Sequence, residues 1–382
     1  MSLDVIIIGL GAMGSAAAYH LAKSGARVLG LDRFAPPHAF GSSHGESRII
    51  REAYFEHPLY VPLVQHAYEL WRELEQETGE KLFLQTGGLM IGPAEGALVQ
   101  GALLSARTHH LQYDVLDAAA LHRDYPVFHL AADTVAVREP RAGILFPEKC
   151  IAAHLRRAQA HGADLRFSEP VFSWQQKGET FEVKTGHGSY DAPRLAFTAG
   201  AWLANLLAEL GLPLKSARQA LFWFDSAAPE KFDPRHFPIF IFEHEPERYF
   251  YGFPDLGNGL KIAIHHEGEA ATPETLQREI RAHEEQPVRD LLHRYLPAAA
   301  GALRQAAVCL YTNTPDSHFL IDFHPASSRI LLASPCSGHG FKFSSAIGEL
   351  IAQSLLGRQT RFDLAPFRLQ RFAQIKLLIV LP

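Results

Sequence analysis

Gly9, Gly11 and Gly14 are spaced Gly-x-Gly-x-x-Gly, directly behind the apolar run Val5 to Ile8 and at the head of an alanine-rich helical stretch. Each glycine meets a separate geometric need. Gly9 permits a tight strand-to-helix turn, Gly11 lets the backbone approach a pyrophosphate, and Gly14 lets helix and strand pack closely. The free N–H groups of the helix N-terminus then face a doubly charged phosphate bridge. A second apolar run, Val28 to Leu31, ends on Asp32, where a carboxylate can accept from a ribose 2′-hydroxyl. Strand, helix, second strand and acid in register predict a dinucleotide site. The acid argues against NADP, and leaves NAD and FAD open.

Other residues could carry chemistry. In Leu260-Lys-Ile-Ala-Ile-His265 the side chains alternate, so Lys261, Ala263 and His265 share one strand face. That face is either a wet outer surface, or a lysine and a histidine aimed together into a site. Residues 48–54 read as the start of a helical region, on which Arg48 and Arg51 share a face. They are either a surface pair balanced by Glu46 and Glu52, or a guanidinium fork for a carboxylate with one arginine near a cofactor. Lys342 follows a glycine loop at a predicted helix start, the wrong dipole end for a cation, which points to an anionic partner. Cys309 lies in a short apolar strand and reads as a small buried hydrophobe, as do Cys150 and Cys336.

The elements that must position these residues form one continuous object without repeats or low-complexity linkers. A clear helical period runs from Tyr60 to Thr78 (Leu63, Ala67, Leu70, Leu74). Strands are predicted at 86–92 and 134–138, a helix at 151–161, and an alternating meander over 165–183. A buried strand precedes Gly200, with a helix from Trp202. Residues 237–265 are strand-rich with a turn at Asn258-Gly259, and 273–296 are helical. Ile330 to Ala333 is a last buried strand, running through Gly338 and Gly340 into a closing helix over 347–356. This strand, glycine loop and helix repeat the logic of the N-terminus. A flavoprotein often returns to its FAD domain in this way to cover the isoalloxazine ring, which favours FAD over NAD.

Composition bounds the rest. At 382 residues the chain is expected to form one large or two intertwined domains. With 47% hydrophobic and 20% charged residues it resembles ordinary soluble globular proteins. A net charge of −5 offers no case for nucleic acid or an anionic membrane. Three cysteines, odd and sparse, fit a reducing compartment, so the expected location is cytoplasmic. No signal peptide or membrane-length apolar run is read. Twenty-one histidines lack any ligand spacing, so no metal is expected. The apolar end Leu377–Pro382 reads equally as an edge strand or a contact site.

On longer motifs the chain resembles the FAD-dependent secondary amine oxidases grouped around monomeric sarcosine oxidase, N-methyltryptophan oxidase and pipecolate oxidase. The likeness spans residues 1–372. It rests on the fingerprint, on PPHAFGSSHGESRIIREAY (36–54), YVPL and ELW (60–63, 69–71), and EPRAGILFPEKC (139–150). It continues through YGFP (251–254), GLK (259–261), CLYTNTPD (309–316), SGHGFKFSS (337–345) and DLAPFRLQRF (363–372). YTNTPD and DLAPFR lean towards the sarcosine and pipecolate branch.

The resemblance implies an α/β fold: a discontinuous Rossmann-type FAD-binding domain (1–85, 145–217, 322–372) and an α+β substrate domain (86–144, 218–321) with a large, mainly antiparallel sheet. Residues 373–382 have no counterpart. It implies that Cys309 bonds covalently to the flavin, and that Lys261 speeds reaction with O₂. Arg51 and Lys342 would grip the substrate carboxylate, with His44 and Arg48 near the opposite flavin face. Tyr251, His265, Tyr311 and Gly338 would line the substrate pocket. Gly338, His339, Gly340, Phe341 and Lys342 would contact the ring. Arg33, Ser42, Val171, Ala199, Gly200 and Trp202 complete the cofactor set. The implied reaction oxidises sarcosine-like N-methyl amino acids to an imine and O₂ to H₂O₂, in a monomer. Pipecolate or another cyclic imino acid, a glycated amino acid, or a dehydrogenase with another acceptor are the alternatives. Two departures stand out: Pro335-Cys336 replaces a Gly-Phe frequent beside the flavin, and Ser43 replaces a second histidine of some members.

Overall fold

The computed structural model describes residues 2–372; the tail 373–382 lies outside them. A six-stranded sheet runs in the order Leu320–His324, Ser327–Ser334, Leu195–Phe197, Val5–Ile8, Val28–Leu31 and Asp164–Arg166. All neighbours are parallel except the first pair. Val5–Ile8 is apolar throughout because both faces of this sheet are covered. Helices Ala12–Lys23, Val61–Thr78, Pro147–Ala160 and Ser344–Leu355 share one apolar cluster on one side. On the other side Phe181, Val183 and Ala192 pack Ile6, Ile8 and Phe197; they come from Thr180–Thr185 and Gly188–Ala192, two strands of an antiparallel three-stranded sheet completed by Val171–Lys177.

An eight-stranded sheet forms the second layer system. Its order is Leu303–Asn313, Lys215–Phe224, Leu260–His265, Arg248–Gly252, Ile239–Glu245, Gly88–Pro93, Thr134–Glu139 and Asp114–Leu116. Only the Ile239–Glu245 and Gly88–Pro93 pair is parallel. One face carries Phe222, Phe224, Phe240, Phe242, Phe250, Leu260 and Ile262 against the helix Ala282–Tyr295. The phenylalanines around 237–253 are therefore mostly core, while Ile241, Tyr251 and Phe253 point towards the cavity described below.

Four local expectations are corrected. Residues 48–54 are not helical: Arg48–Ile50 is a strand paired antiparallel with Gly143–Leu145, so Arg48 and Arg51 share no helix face. Two consecutive β-branched residues fit that pleat better than a helix. The helix predicted from 273 begins only at Ala282, because Arg218 draws the carbonyls of Gln277 and Glu279 into an irregular approach. The helix expected from Trp202 starts at Leu203 and stops at Leu206. At Asn258-Gly259 there is no two-residue hairpin. Asp255 Oδ1 accepts from Gly257 N (2.7 Å) and Gly259 N (2.9 Å) and organises a longer loop.

Candidate active site

A cavity of about 500 Å³ lies between the two sheets and reaches both the fingerprint and the basic residues. Its wall includes Gly9, Gly11, Asp32, Arg33, Ser42, Val171, Ala199, Gly200 and Trp202, with Cys309 and the run Gly338 to Lys342. A side chain at Gly9 would place Cβ 2.7 Å from Ala199 Cα, and one at Gly14 would place it 1.8 Å from Gly9 O. Gly14 thus sits behind the wall, as the contact that lets helix meet strand. At Gly11 nothing lies within 4 Å of a Cβ position, so the backbone there is open on the cavity side. The helix Ala12–Lys23 has no side-chain cap, which leaves its first N–H groups to an anion. Asp32 accepts from Leu10 N (2.7 Å) and Phe34 N (2.8 Å). Burial lifts its carboxyl above the ordinary range despite those bonds.

The other part of the cavity wall holds Arg51, Phe55, Glu56, Tyr251, His265, Tyr311, Gly338 and Lys342. Arg51 is 2% exposed; it donates to Ala53 O (2.9 Å) and to Glu56 Oε2 (2.6 Å), and lies over the Tyr54 ring at 4.3 Å. Lys342 donates to His339 O (2.7 Å) and lies 3.4 Å from the Tyr54 hydroxyl. Burial and then the Arg51 charge push its ammonium down to about 7. His265 Nδ1 is 3.2 Å from the Tyr311 hydroxyl, and burial holds the imidazole well below its ordinary value. Gly338 has φ +76, and a Cβ there would meet the Tyr311 ring at 2.7 Å. The pair Arg48 and Arg51 is therefore no surface pair, and Glu52 faces Arg141 at 3.0 Å instead.

Lys261, Ala263 and His265 do share a face, and it is not wet. Ala263 joins Leu221, Trp223 and Cys309 in a small cluster edged by Tyr251 and Tyr311. Lys261 is 2% exposed and stands one layer behind the cavity. Its Nζ donates to Gly45 O (2.6 Å), Ser47 O (2.9 Å) and Ser47 Oγ (3.1 Å). Burial and the Arg48 charge hold its pKa well below the ordinary lysine value. Arg48 donates to the carbonyls of Ser47, Ser42 and His44, each at 2.7 Å. His44 is buried behind the wall with Nε2 unpartnered among the described residues, and burial lowers it to about 4. Cys309 has its thiol raised by burial, opposed by Arg48 and Lys261.

The fingerprint, the two-sheet architecture and this cavity agree with what known proteins show. The model of the family described as FAD dependent oxidoreductase matches residues 4–354. The chain belongs to this FAD-dependent oxidoreductase family. It is 42% identical over 375 residues to the monomeric sarcosine oxidase of Streptomyces avermitilis, covering 97% of this chain and 98% of that one. It is 35% identical over 374 residues to the N-methyl-L-tryptophan oxidase of Yersinia pestis, covering 97% and 100%. Among solved structures, NikD, an amino acid oxidase of nikkomycin biosynthesis, superposes with a TM-score of 0.84 at 23% identity, over 96% of this chain and 97% of that chain. That likeness speaks for the fold.

The oxidoreductase's own residues fit FAD. The glycine cradle is open where a pyrophosphate needs it, and the same cavity extends past Cys309 to a second glycine loop at Gly338 and Gly340. Gly340 packs so tightly on Pro335 O that a Cβ would come within 1.6 Å of it. Pro335 and Cys336 both line the cavity, and burial raises the Cys336 thiol to about 11. Sequence reasoning missed Glu56 and Ile241 on the wall and Tyr54 behind it. For Glu56 the only signal was an acid five places beyond Arg51. Among the described residues no group of three or more His, Cys, Asp or Glu could hold a metal, and no helix is long and apolar enough to cross a membrane.

Proposed function

We propose that this oxidoreductase oxidises secondary amines that carry a carboxylate, N-methyl amino acids of the sarcosine type, to an imine that hydrolyses, with O₂ reduced to H₂O₂. The observation that carries the reading is a single cavity holding both an open phosphate cradle and two buried cations, Arg51 and Lys342. One carboxylate, Glu56, stands against the two cations, so a buried positive charge is left over, costly unless a second anion is brought to it, and a carboxylate beside a reacting C–H is the anion that such a substrate supplies. FAD, when bound, supplies the electron acceptor for the C–N oxidation and passes the electrons to O₂.

The chain's residues then divide the work. Arg51 and Lys342 bind the carboxylate and fix the substrate's orientation. The cationic, partly dry surroundings disfavour a substrate ammonium, so the amine is held neutral. His265, Tyr311 and Tyr251 wall the substrate and exclude water, and Gly338 leaves the space that a side chain would fill. Cys309 holds FAD covalently through its sulfur. Lys261 and Arg48 supply the positive field that stabilises negative charge developing on O₂, with His44, kept neutral by burial, packed beside them. Residues 1–85, 145–217 and 322–372 serve as the FAD-binding domain and 86–144 with 218–321 as the substrate domain, in a cytoplasmic monomer.

The test begins with the visible spectrum of purified protein before and after acid precipitation. Yellow colour retained in the pellet supports the Cys309 bond, and colour released to the supernatant removes it. Peroxide formation is then measured with sarcosine, other N-methyl amino acids and pipecolate. Absence of peroxide with all of them, while sarcosine still bleaches the flavin, would replace the oxidase by a dehydrogenase.

A further inference from the structure

Arg51, one of the two cations proposed to face the substrate, stands on a segment that two distant carboxylates hold from behind. Strand Arg48–Ile50 pairs with Gly143–Leu145, and an acid closes each end of that pairing. At one end Glu148 Oε1 accepts from Gly45 N (2.7 Å) and Glu46 N (3.1 Å). At the other, Glu139 Oε1 accepts from Glu52 N (2.7 Å) and Oε2 from Ala53 N (2.8 Å). Glu139 ends the strand Thr134–Glu139 of the large sheet and is buried at 1% exposure. Its two oxygens have no other hydrogen-bond donor among the described residues.

The geometry closes a circuit. Residue Ala53 gives its N–H to Glu139 and takes, on its own carbonyl one peptide unit further on, the Nη1 of Arg51 at 2.9 Å. Residues 52 and 53 lie beyond the strand, with no ladder bonds to hold them. The direction of the Ala53 carbonyl, and so the seat of the guanidinium, depends on the carboxylate behind it. The same arrangement recurs at the other end, where Gly45 gives N–H to Glu148 and its carbonyl receives Lys261 Nζ. A buried carboxylate is expensive to desolvate, and burial raises Glu139 to about 7. The two N–H groups it meets are buried and need acceptors, and a single carboxylate that takes both fixes the direction in which the backbone of Glu52 and Ala53 faces.

We propose that Glu139 is a positioning residue for substrate binding, which sets the Arg51 guanidinium through the backbone of Ala53 without touching the substrate. The proposal rests on the reading of Arg51 as a carboxylate anchor. Glu139→Gln keeps the shape but presents one oxygen and one NH₂ to two N–H donors, so one contact becomes donor against donor.

The test is a double-mutant cycle in the holoenzyme, with acetate as probe and its dissociation constant read from the perturbed flavin spectrum. Glu139→Gln is expected to weaken acetate binding by about tenfold or more, and to change it less than about twofold when Arg51→Gln is already present, the non-additivity of residues acting as one unit. Reoxidation of dithionite-reduced enzyme by O₂, a step that involves no carboxylate, should stay within about twofold of the parent, since Arg51 alone is displaced. The proposal is overturned if the full loss persists in the Arg51→Gln background, or if reoxidation falls in proportion to acetate affinity. Arg51→Gln that leaves acetate affinity intact overturns the anchor reading itself, which separates the two failures. Where Glu139→Gln does not accumulate folded, Glu139→Asp is read in the same cycle. It keeps the charge but is one methylene too short to serve both N–H groups, and the same ligand-specific pattern is expected.

Discussion

Glu56 is the residue whose removal says most about the cavity. Its Oε2 lies 2.6 Å from Arg51 Nη2, so the protein already supplies a carboxylate to the group proposed to bind one. An incoming carboxylate must displace Glu56 or share the guanidinium with it; Arg51 Nε has no partner among the described residues. Glu56→Gln removes the internal competitor and keeps the shape. A hydrogen bond between charged groups is worth about 1.5–3 kcal/mol. If an outside anion recovers that whole amount, its affinity rises roughly 10- to 150-fold at about 1.4 kcal/mol per factor of ten. Stability moves the other way, because Arg51 is left as a buried cation without its partner. Breaking a buried pair costs about 3–5 kcal/mol, and the low end applies where one partner reaches the cavity, as Glu56 does at 18% exposure. The acid limb of the stability profile follows. Burial alone would raise the Glu56 carboxyl, but Arg51, His339 and Lys342 hold it below the ordinary value. Its stabilisation is therefore complete above the unfolded carboxyl pKa and is lost as pH falls through the lower folded value. The Glu56→Gln variant should lack that loss. Acetate titration of the holoenzyme by flavin absorbance, with thermal midpoints across acid pH, measures both effects. Acetate affinity that stays level or weakens in a folded, flavin-loaded Glu56→Gln protein would refute the competition and with it the anchor role of Arg51.

Lys261→Met should slow reoxidation by O₂ by about two to three powers of ten, the usual loss of a preorganised stabilising charge, and leave substrate reduction nearly unchanged; equal slowing of both half-reactions in rapid mixing would contradict the assignment. Cys309→Ser should leave a yellow protein whose colour passes into the supernatant on acid precipitation, and colour that stays in the pellet would place the tether elsewhere. Lys342 is lowered to about 7 by burial and the Arg51 charge, so it carries its proton below that value and loses it above. Acetate affinity should fall as pH rises through about 7, and Lys342→Met should flatten that dependence. An unchanged profile in the variant would remove Lys342 from the anion site. The same lowering makes the unfolded chain bind more protons between about 7 and the ordinary lysine value, so this lysine's contribution makes the folded state gain stability with rising pH there.

What could be read from the chain, and what could not, divides by the range of the forces involved. The glycine fingerprint is local: Gly9, Gly11 and Gly14 answer to one turn and one helix start, and the fold it predicts is the one observed. The shared face of Lys261, Ala263 and His265 follows from strand alternation alone. Whether that face is wet does not, because burial depends on the loop Gly45 to Ser47 arriving from some two hundred residues away to meet the lysine. The failures around Arg51 have the same cause. One of the two readings open from the sequence has Arg48 and Arg51 balanced by Glu46 and Glu52, the acids nearest them. The structure gives Glu46 to Asn258, Glu52 to Arg141 and Glu56 to Arg51. Helical spacing would place Arg48 beside Arg51, yet a strand governs the first, and the second lies just past its end on a backbone held by Glu139. A buried cation is oriented by whatever acceptors surround it, and here those acceptors come from separate elements. Sequence can therefore nominate the cation. Only the packed chain shows which carboxylate it already holds.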